Sequence, residues 1–276
     1  MHEENKMPEK GIKNRIMTAG PWEPTWFESY NQKFMPNNTE FVYYDYPQMD
    51  QQVAQISKEM EQLGVKGAER AYNLLRPYAF KKDLFQWMAL WKNGGIFMDA
   101  KVGFNHSVAD WIDFSQDEFL MCADPEMITD NMFTAMTKYH PYGLMMVQHI
   151  VDQVNDRAYY NAQDSSNHIY NLNITGPDSI RQEFVNTHQL TWSNVRCYKQ
   201  FEPKTKSYIT YLINNKTDDD RTVLMLNDPV KGQEVWKQMT KCEHCNSYKE
   251  LFKNRQVYCD QPGPTKGCGG HDFKYF

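Results

Sequence analysis

Two carboxylates and an ammonium fall within one short stretch of this chain: Asp83, Asp99 and Lys101, with Gly94-Gly95 between them. A carboxylate accepts hydrogen bonds from hydroxyls and ligates hard cations, whereas a lysine neutralises an anion as a compact point charge. Phe80, Leu84, Trp87, Met88 and Trp91 recur at helical spacing, which predicts a core-packed helix over 80–93. Gly94-Gly95 supplies the left-handed turn that ends it. Ile96-Phe97-Met98 then reads as a short buried strand that delivers Asp99 at its carboxyl end, the edge at which open α/β sheets bind ligands. Asp83 lies at the edge of the helical stripe and can reach that mouth. Taken singly, Asp83 is an ordinary solvated helix residue and Asp99 an ordinary turn residue. They gain meaning as a set.

The elements around them follow from the same periodicities. Residues 12–19 predict a first strand closed by Gly20-Pro21, residues 22–34 a helix and residues 41–44 a second strand. Val53, Ile56, Met60 and Leu63 mark an amphipathic helix over 48–63, ended by Gly64. A short helix over 68–75 stops before Pro77. Leu144, Val147, Ile150, Val151 and Val154 predict a helix over 141–154, and Pro177 suits the first position of a helix running to Phe184. Residues 192–225 read as short strands and loops. Strands alternating with helices favour an α/β domain.

Composition bounds the possibilities. The chain has 276 residues, 41% apolar and 24% charged, which suits one globular domain. Aromatic residues make up 14%, with seven Trp and 17 Tyr, and serve cores as readily as sugar-binding surfaces. The net charge of −5 offers nothing to a polyanion, and Arg196, Lys199, Lys204 and Lys206 are too dilute to act as a nucleic-acid patch. No run of 18 apolar residues predicts a membrane span, and the charged segment 1–13 has no apolar stretch of a signal peptide. Cys122 and Cys197 stand apart and read as buried thiols. Cys242, Cys245, Cys259 and Cys268 suit either two disulfides or a structural zinc, with the irregular second spacing favouring disulfides. Sequons at Asn37, Asn105, Asn173 and Asn215 fit the Golgi or secretory lumen, the alternative being the cytoplasm.

The string Ala79 to Asp99 resembles the DXD-containing sugar-transferases of glycosyltransferase family 32, which includes the fungal initiation-specific α-1,6-mannosyltransferases. The family signature runs S/K-x-D-x-x-R, a leucine- and aromatic-rich helix, then G-G-(I/V)-Y-x-D-x-D. Asn131 with His140-Pro141 resembles its N…hP segment, and Asn173-Ile174-Thr175-Gly176-Pro177 its TGP turn. Residues 247–258 are similar to the closing segment of algal and giant-virus relatives. The resemblance covers residues 12–258 as one domain and leaves 259–276 as a C-terminal extension. It implies a GT-A-type nucleotide-sugar fold, α/β with a mostly parallel central sheet flanked by helices. It implies hexose transfer with retention from a UDP- or GDP-sugar to a glycan or glycolipid. Asp83 and Asp99 would be catalytic; Thr18, Trp22, Gln86, Gly94, Gly95, Lys101, Asn131, Thr175 and Gly176 would join them in holding the donor.

Two departures bear on mechanism. Gln86 stands where the signature has Arg, and Lys101 where it has its second Asp. A D-x-D offers two hard oxygen ligands to Mn²⁺ or Mg²⁺, and a charged lysine offers none, although it can neutralise a diphosphate itself. Three expectations follow: metal-independent transfer with Lys101 in the metal's place, a weak metal held by Asp99 alone, or an inactive nucleotide-sugar- or glycan-binding homologue. Asp124, Asp130 and His140 lie within reach of the site by sequence order, with helix capping before Pro141 an equal reading of His140. Rival readings are a carboxylate-pair hydrolase and a zinc-ribbon module at Cys242 to Cys268, but no G-x-S-x-G, G-x-x-x-x-G-K or H-E-x-x-H occurs.

Overall fold

The computed structural model describes residues 7–20, 25–123, 129–158, 174–184, 195–202, 207–212, 223–227 and 257–260. Trp22, Asp124, Asn173, Cys242, Cys245 and Cys268 lie outside them. Among the described residues nine strands form one sheet, in the order β2-β1-β3-β6-β5-β7-β8-β9-β4. The strands are β1 Arg15–Ala19, β2 Glu40–Tyr44, β3 Gly95–Met98, β4 Val102–Phe104, β5 Phe119–Ala123, β6 Thr129–Met136, β7 Val195–Glu202, β8 Ser207–Leu212 and β9 Val223–Asn227. The helices are α1 Thr25–Asn31, α2 Tyr46–Glu61, α3 Ala68–Leu74, α4 Tyr78–Asn93, α5 Pro141–Asn155 and α6 Pro177–Phe184.

The α/β class expected from the sequence is what forms. Its sheet is mixed: β2–β1, β1–β3 and β5–β7 pair in parallel, and the remaining neighbours pair antiparallel. A mostly parallel sheet therefore describes only the β2–β1–β3 side. The antiparallel strand β6 enters between β3 and β5, an element that the helix-and-strand alternation in the sequence does not announce.

Helices cover the sheet on both faces, and period-two alternation sorts the strand side chains between two cores. Met17, Phe97, Phe119 and Met121 join α2 to α6 in one cluster; Ile16, Ile96, Met98, Leu120 and Cys122 join Phe27 of α1 in the other. Local signals fix the helix ends. Asp45 and Gln48 form a reciprocal capping box at the start of α2. The expected amphipathic α4 is buried over most of its circumference, from Phe80 to Trp91, because it lies between the sheet and neighbouring helices.

Gly94 and Gly95 do the work of returning α4 into β3. Both have positive φ, at 66° and 107°. A Cβ on Gly94 would lie 2.7 Å from the Lys138 backbone nitrogen, and one on Gly95 2.7 Å from the Arg15 carbonyl oxygen. Conformation and space both demand glycine there.

The C-terminal segment 257–260 is stitched into this domain. Leu75 and Tyr258 bridge, the Arg76 backbone donates to Val257, and Cys259 donates to Leu74. Cys259 is disulfide-bonded. Cys122 and Cys197 are not the lone thiols expected: they form a disulfide between β5 and β7, across 75 residues of chain. Their opposed register on neighbouring strands is a tertiary fact with no trace in the local sequence. Replacing both with alanine should lower stability by about 2–4 kcal/mol through the loop released in the unfolded chain. Thermal melts of the double variant against the parent should show a drop of several degrees; equal midpoints would refute that contribution.

Candidate active site

The carboxyl ends of β1, β2 and β3 point the same way, and β3 delivers Asp99 to that edge. The Asp99 amide donates to the Met132 carbonyl of β6 at 2.9 Å, and its own carbonyl accepts from Val102 at 2.9 Å, closing a turn that carries Lys101. The first turns of α4 come over this edge with Lys82 and Asp83. Lys82 Nζ pairs closely with Asp99 Oδ1 and stands 3.8 Å from Asp83 Oδ1. Lys101 Nζ approaches the other oxygen, Asp99 Oδ2, at 3.7 Å. One carboxylate thus spaces two ammonium groups. All four side chains keep some exposure, from 13% at Asp83 to 26% at Lys101, so a ligand can reach them.

Asp83 is held from its other side. Asn131 Nδ2 donates to its Oδ1 at 2.8 Å and the Thr175 hydroxyl donates to its Oδ2 at 3.1 Å. Burial pushes the Asp83 carboxyl up to about 7, with Lys82 opposing the rise and Asp99 adding to it. Against the penalty of burial, the Asp99 and Asp83 carboxylates hold the Lys82 ammonium above its ordinary range. The edge therefore carries two ammonium groups, Lys82 and Lys101, around the Asp99 carboxyl, with the Asp83 carboxyl raised beside them.

These contacts sort the residues anticipated from sequence. Asp83, Asp99, Lys101, Asn131 and Thr175 come together, and Gly176 precedes α6 beside Thr175, its carbonyl accepting from Ile180 at 3.2 Å. Gln86 is fully buried beneath them and donates to the Asn131 carbonyl and the Thr134 hydroxyl. Gly94 and Gly95 open β3 at the end opposite Asp99, roughly 13 Å away along the strand. Thr18 is buried in β1, and alternation turns it to the same face as Ile16, away from α4. Trp22 and Asp124 fall outside the described residues. Asp130 is the second residue of β6, and its backbone pairs with Cys122. His140 caps α5: its Nδ1 accepts from the Tyr142 amide at 3.2 Å, it stacks on Phe119, and burial lowers it to about 4. The capping reading accounts for that histidine.

Lys82 is the residue the sequence did not single out. It occupies the position the family signature leaves open, between the S/K and the Asp. Its neighbour Lys81 turns instead into a buried setting over the Tyr72 and Tyr78 rings, 5.0 and 5.3 Å from their centroids. Helical rotation of 100° per residue separates two adjacent lysines that look alike in sequence, and only the packing of α4 says which one faces the edge.

A divalent cation fits this donor set poorly. Asp99 presents an ammonium on each of its oxygens, and both Asp83 oxygens already accept hydrogen bonds. Hard cations need several oxygen ligands, and two ammonium groups beside the leading carboxylate repel one.

No protein-family model matches the chain, and no curated protein matches it. Among solved structures the chain is similar to one named the PaToxG glycosyltransferase, with 14% identity and a TM-score of 0.42 over 64% of this chain and 70% of that one. A likeness at that level assigns no residue of the site.

Proposed function

We propose that the chain transfers a hexose from a UDP- or GDP-sugar to a glycan or glycolipid, with its lysines taking the place of a divalent metal. The observation that carries this reading is the Lys82–Asp99–Lys101 cluster beside Asp83 at the carboxyl edge of the sheet, within the string that resembles family 32. Transfer breaks the anomeric C–O bond, leaving oxocarbenium-like charge on the sugar and growing negative charge on the departing diphosphate. Preorganised positive charge at the leaving group is the largest available source of rate. Asp99 holds Lys82 in a hydrogen-bonded ion pair and has Lys101 at 3.7 Å, so both charges stand at the edge before the substrate arrives. Asp83, steadied by Asn131 and Thr175, is suited to accept hydrogen bonds from the donor sugar's hydroxyls. Retention of configuration follows from the resemblance. A secretory location draws support from the buried Cys122–Cys197 disulfide together with the sequons.

The test is nucleoside-diphosphate release from UDP- and GDP-hexoses, each with Mn²⁺ and with EDTA. Release that survives EDTA is expected. Release only with Mn²⁺ would keep the transfer and overturn the role of the lysines; no release, with a donor raising the melting temperature, would identify a binding homologue. Asp99→Ala and Lys101→Ala should each lower turnover on the order of 10²–10³-fold while the circular dichroism spectrum is unchanged. Lys101→Asp should make release dependent on Mn²⁺.

Asp83 gives a prediction in pH. If a carboxylate at Asp83 is required, kcat/KM should rise with pH through about 7. Stability should move the other way. A carboxyl whose folded-state value is raised favours the folded chain fully below its unfolded value near 4, and that contribution is lost as pH climbs through about 7. Asp83→Asn should therefore melt above the parent at pH 8, with the advantage shrinking toward pH 4–5, while losing activity. A melting difference independent of pH would show that Asp83 ionises without penalty.

A further inference from the structure

We propose that Gln86 is a positioning residue that acts through Asn131: it holds the Asn131 backbone so that the Asn131 side-chain amide meets Asp83. The inference rests on the reading of Asp83 as the group that receives the donor sugar. Gln86 cannot touch a donor, because it is fully buried. It lies three residues after Asp83 on α4 and therefore on the same side of that helix, facing β6. Its Nε2 donates twice into β6, to the Asn131 carbonyl at 3.0 Å and to the Thr134 hydroxyl at 3.1 Å. The carbonyl accepts only, so it fixes which end of the amide is the nitrogen.

Asn131 needs such a tie. The β5–β6 register jumps from Met121↔Thr134 to Cys122↔Asp130, and the β3–β6 register ends at Met98↔Phe133. Asn131 falls between these registers, in the irregular stretch where a strand locally departs from its ladder. Gln86 supplies a hydrogen bond to its carbonyl there, and the side chain it anchors donates to Asp83 Oδ1 at 2.8 Å. Gln86 Oε1, by contrast, is buried with no hydrogen-bond partner among the described residues. An acceptor left unmet in the interior is unfavourable, and an apolar side chain of the same length would avoid it. What the amide contributes is the pair of hydrogen bonds its nitrogen donates into β6.

The geometry also explains how a neutral residue serves where the family signature has arginine. A guanidinium at this depth would add a full charge one helical turn from Asp83 and favour its carboxylate strongly. Gln86 delivers hydrogen bonds without charge, so Lys82, Asp99 and Asn131 are left to set the balance at Asp83.

The experiment compares Gln86→Met, Asn131→Ala and the double variant with the parent chain. Two readouts are used: the pH profile of kcat/KM for nucleoside-diphosphate release, and the titration of the Asp83 carboxyl by isotope-edited infrared spectroscopy, assigned by its loss in Asp83→Asn. Losing the Asn131 hydrogen bond to the charged form should move both midpoints upward, on the order of one pH unit. Gln86→Met should shift them in the same direction, and the double variant should shift no further than Asn131→Ala alone. Shifts that add, or a Gln86→Met chain whose activity falls equally at every pH with the midpoints unmoved, would overturn the proposal. Asn131→Ala decides the matter even if Gln86→Met does not fold, since an unmoved midpoint there leaves Gln86 nothing to act through. If no donor is turned over, the transfer reading fails, while the infrared titration still reports whether Gln86 and Asn131 set the Asp83 carboxyl.

Discussion

Gly94 and Gly95 carry the chain out of a buried helix and straight into a buried strand, at a place where the Lys138 and Arg15 backbones leave no room for a Cβ. That return sets α4 against the sheet and sends β3 in parallel with β1. With the helix and strand fixed to each other, Lys82 and Asp83 at one end of α4 and Asp99 at the far end of β3 must meet over the same edge. The glycines sit away from the site and determine it. Their contribution is geometric, and a side chain at either position would displace both elements together.

The edge so formed is an electrostatic compromise. Burying a carboxylate is unfavourable unless charge or hydrogen bonds compensate it. Asp99 is compensated by two ammonium groups; Asp83 has one more distant ammonium and two neutral donors, Asn131 and Thr175. The two neighbouring carboxyls are set in different surroundings: Asp99 lies between two ammonium groups, while burial raises the Asp83 carboxyl. Under the proposed function, the two lysines beside Asp99 take the place of a hard cation at an anionic donor.

Covalent and hydrogen-bonded ties hold the rest of the fold to this edge. The Cys122–Cys197 disulfide joins β5 to β7, and the 257–260 segment pairs with the stretch just before α4, where Arg76 donates to the Tyr258 carbonyl. Arg157 pairs with Asp260 across 103 residues of sequence, tying the end of α5 to the same segment. The C-terminal residues closest to α4 are thus part of the domain that positions the site.

Much of this was legible from residue pattern. The α4 periodicity, the double glycine, the short apolar strand and the carboxylate at its end are local signals, and the helices at 46–61, 68–74, 141–155 and 177–184 formed within a few residues of where spacing and capping put them. Local sequence determines such things because a helix cap, a left-handed glycine and an apolar stripe act over one or two turns. Tertiary structure decided the others. Lys82 rather than Lys81 faces the edge because packing chooses the rotation of α4; Gln86 became a buried strut because β6 passes beneath it; and the two cysteines paired because β5 and β7 are neighbours in a mixed sheet. Each of these depends on which distant strand lies alongside, a long-range pairing that the spacing of residues within one segment does not encode.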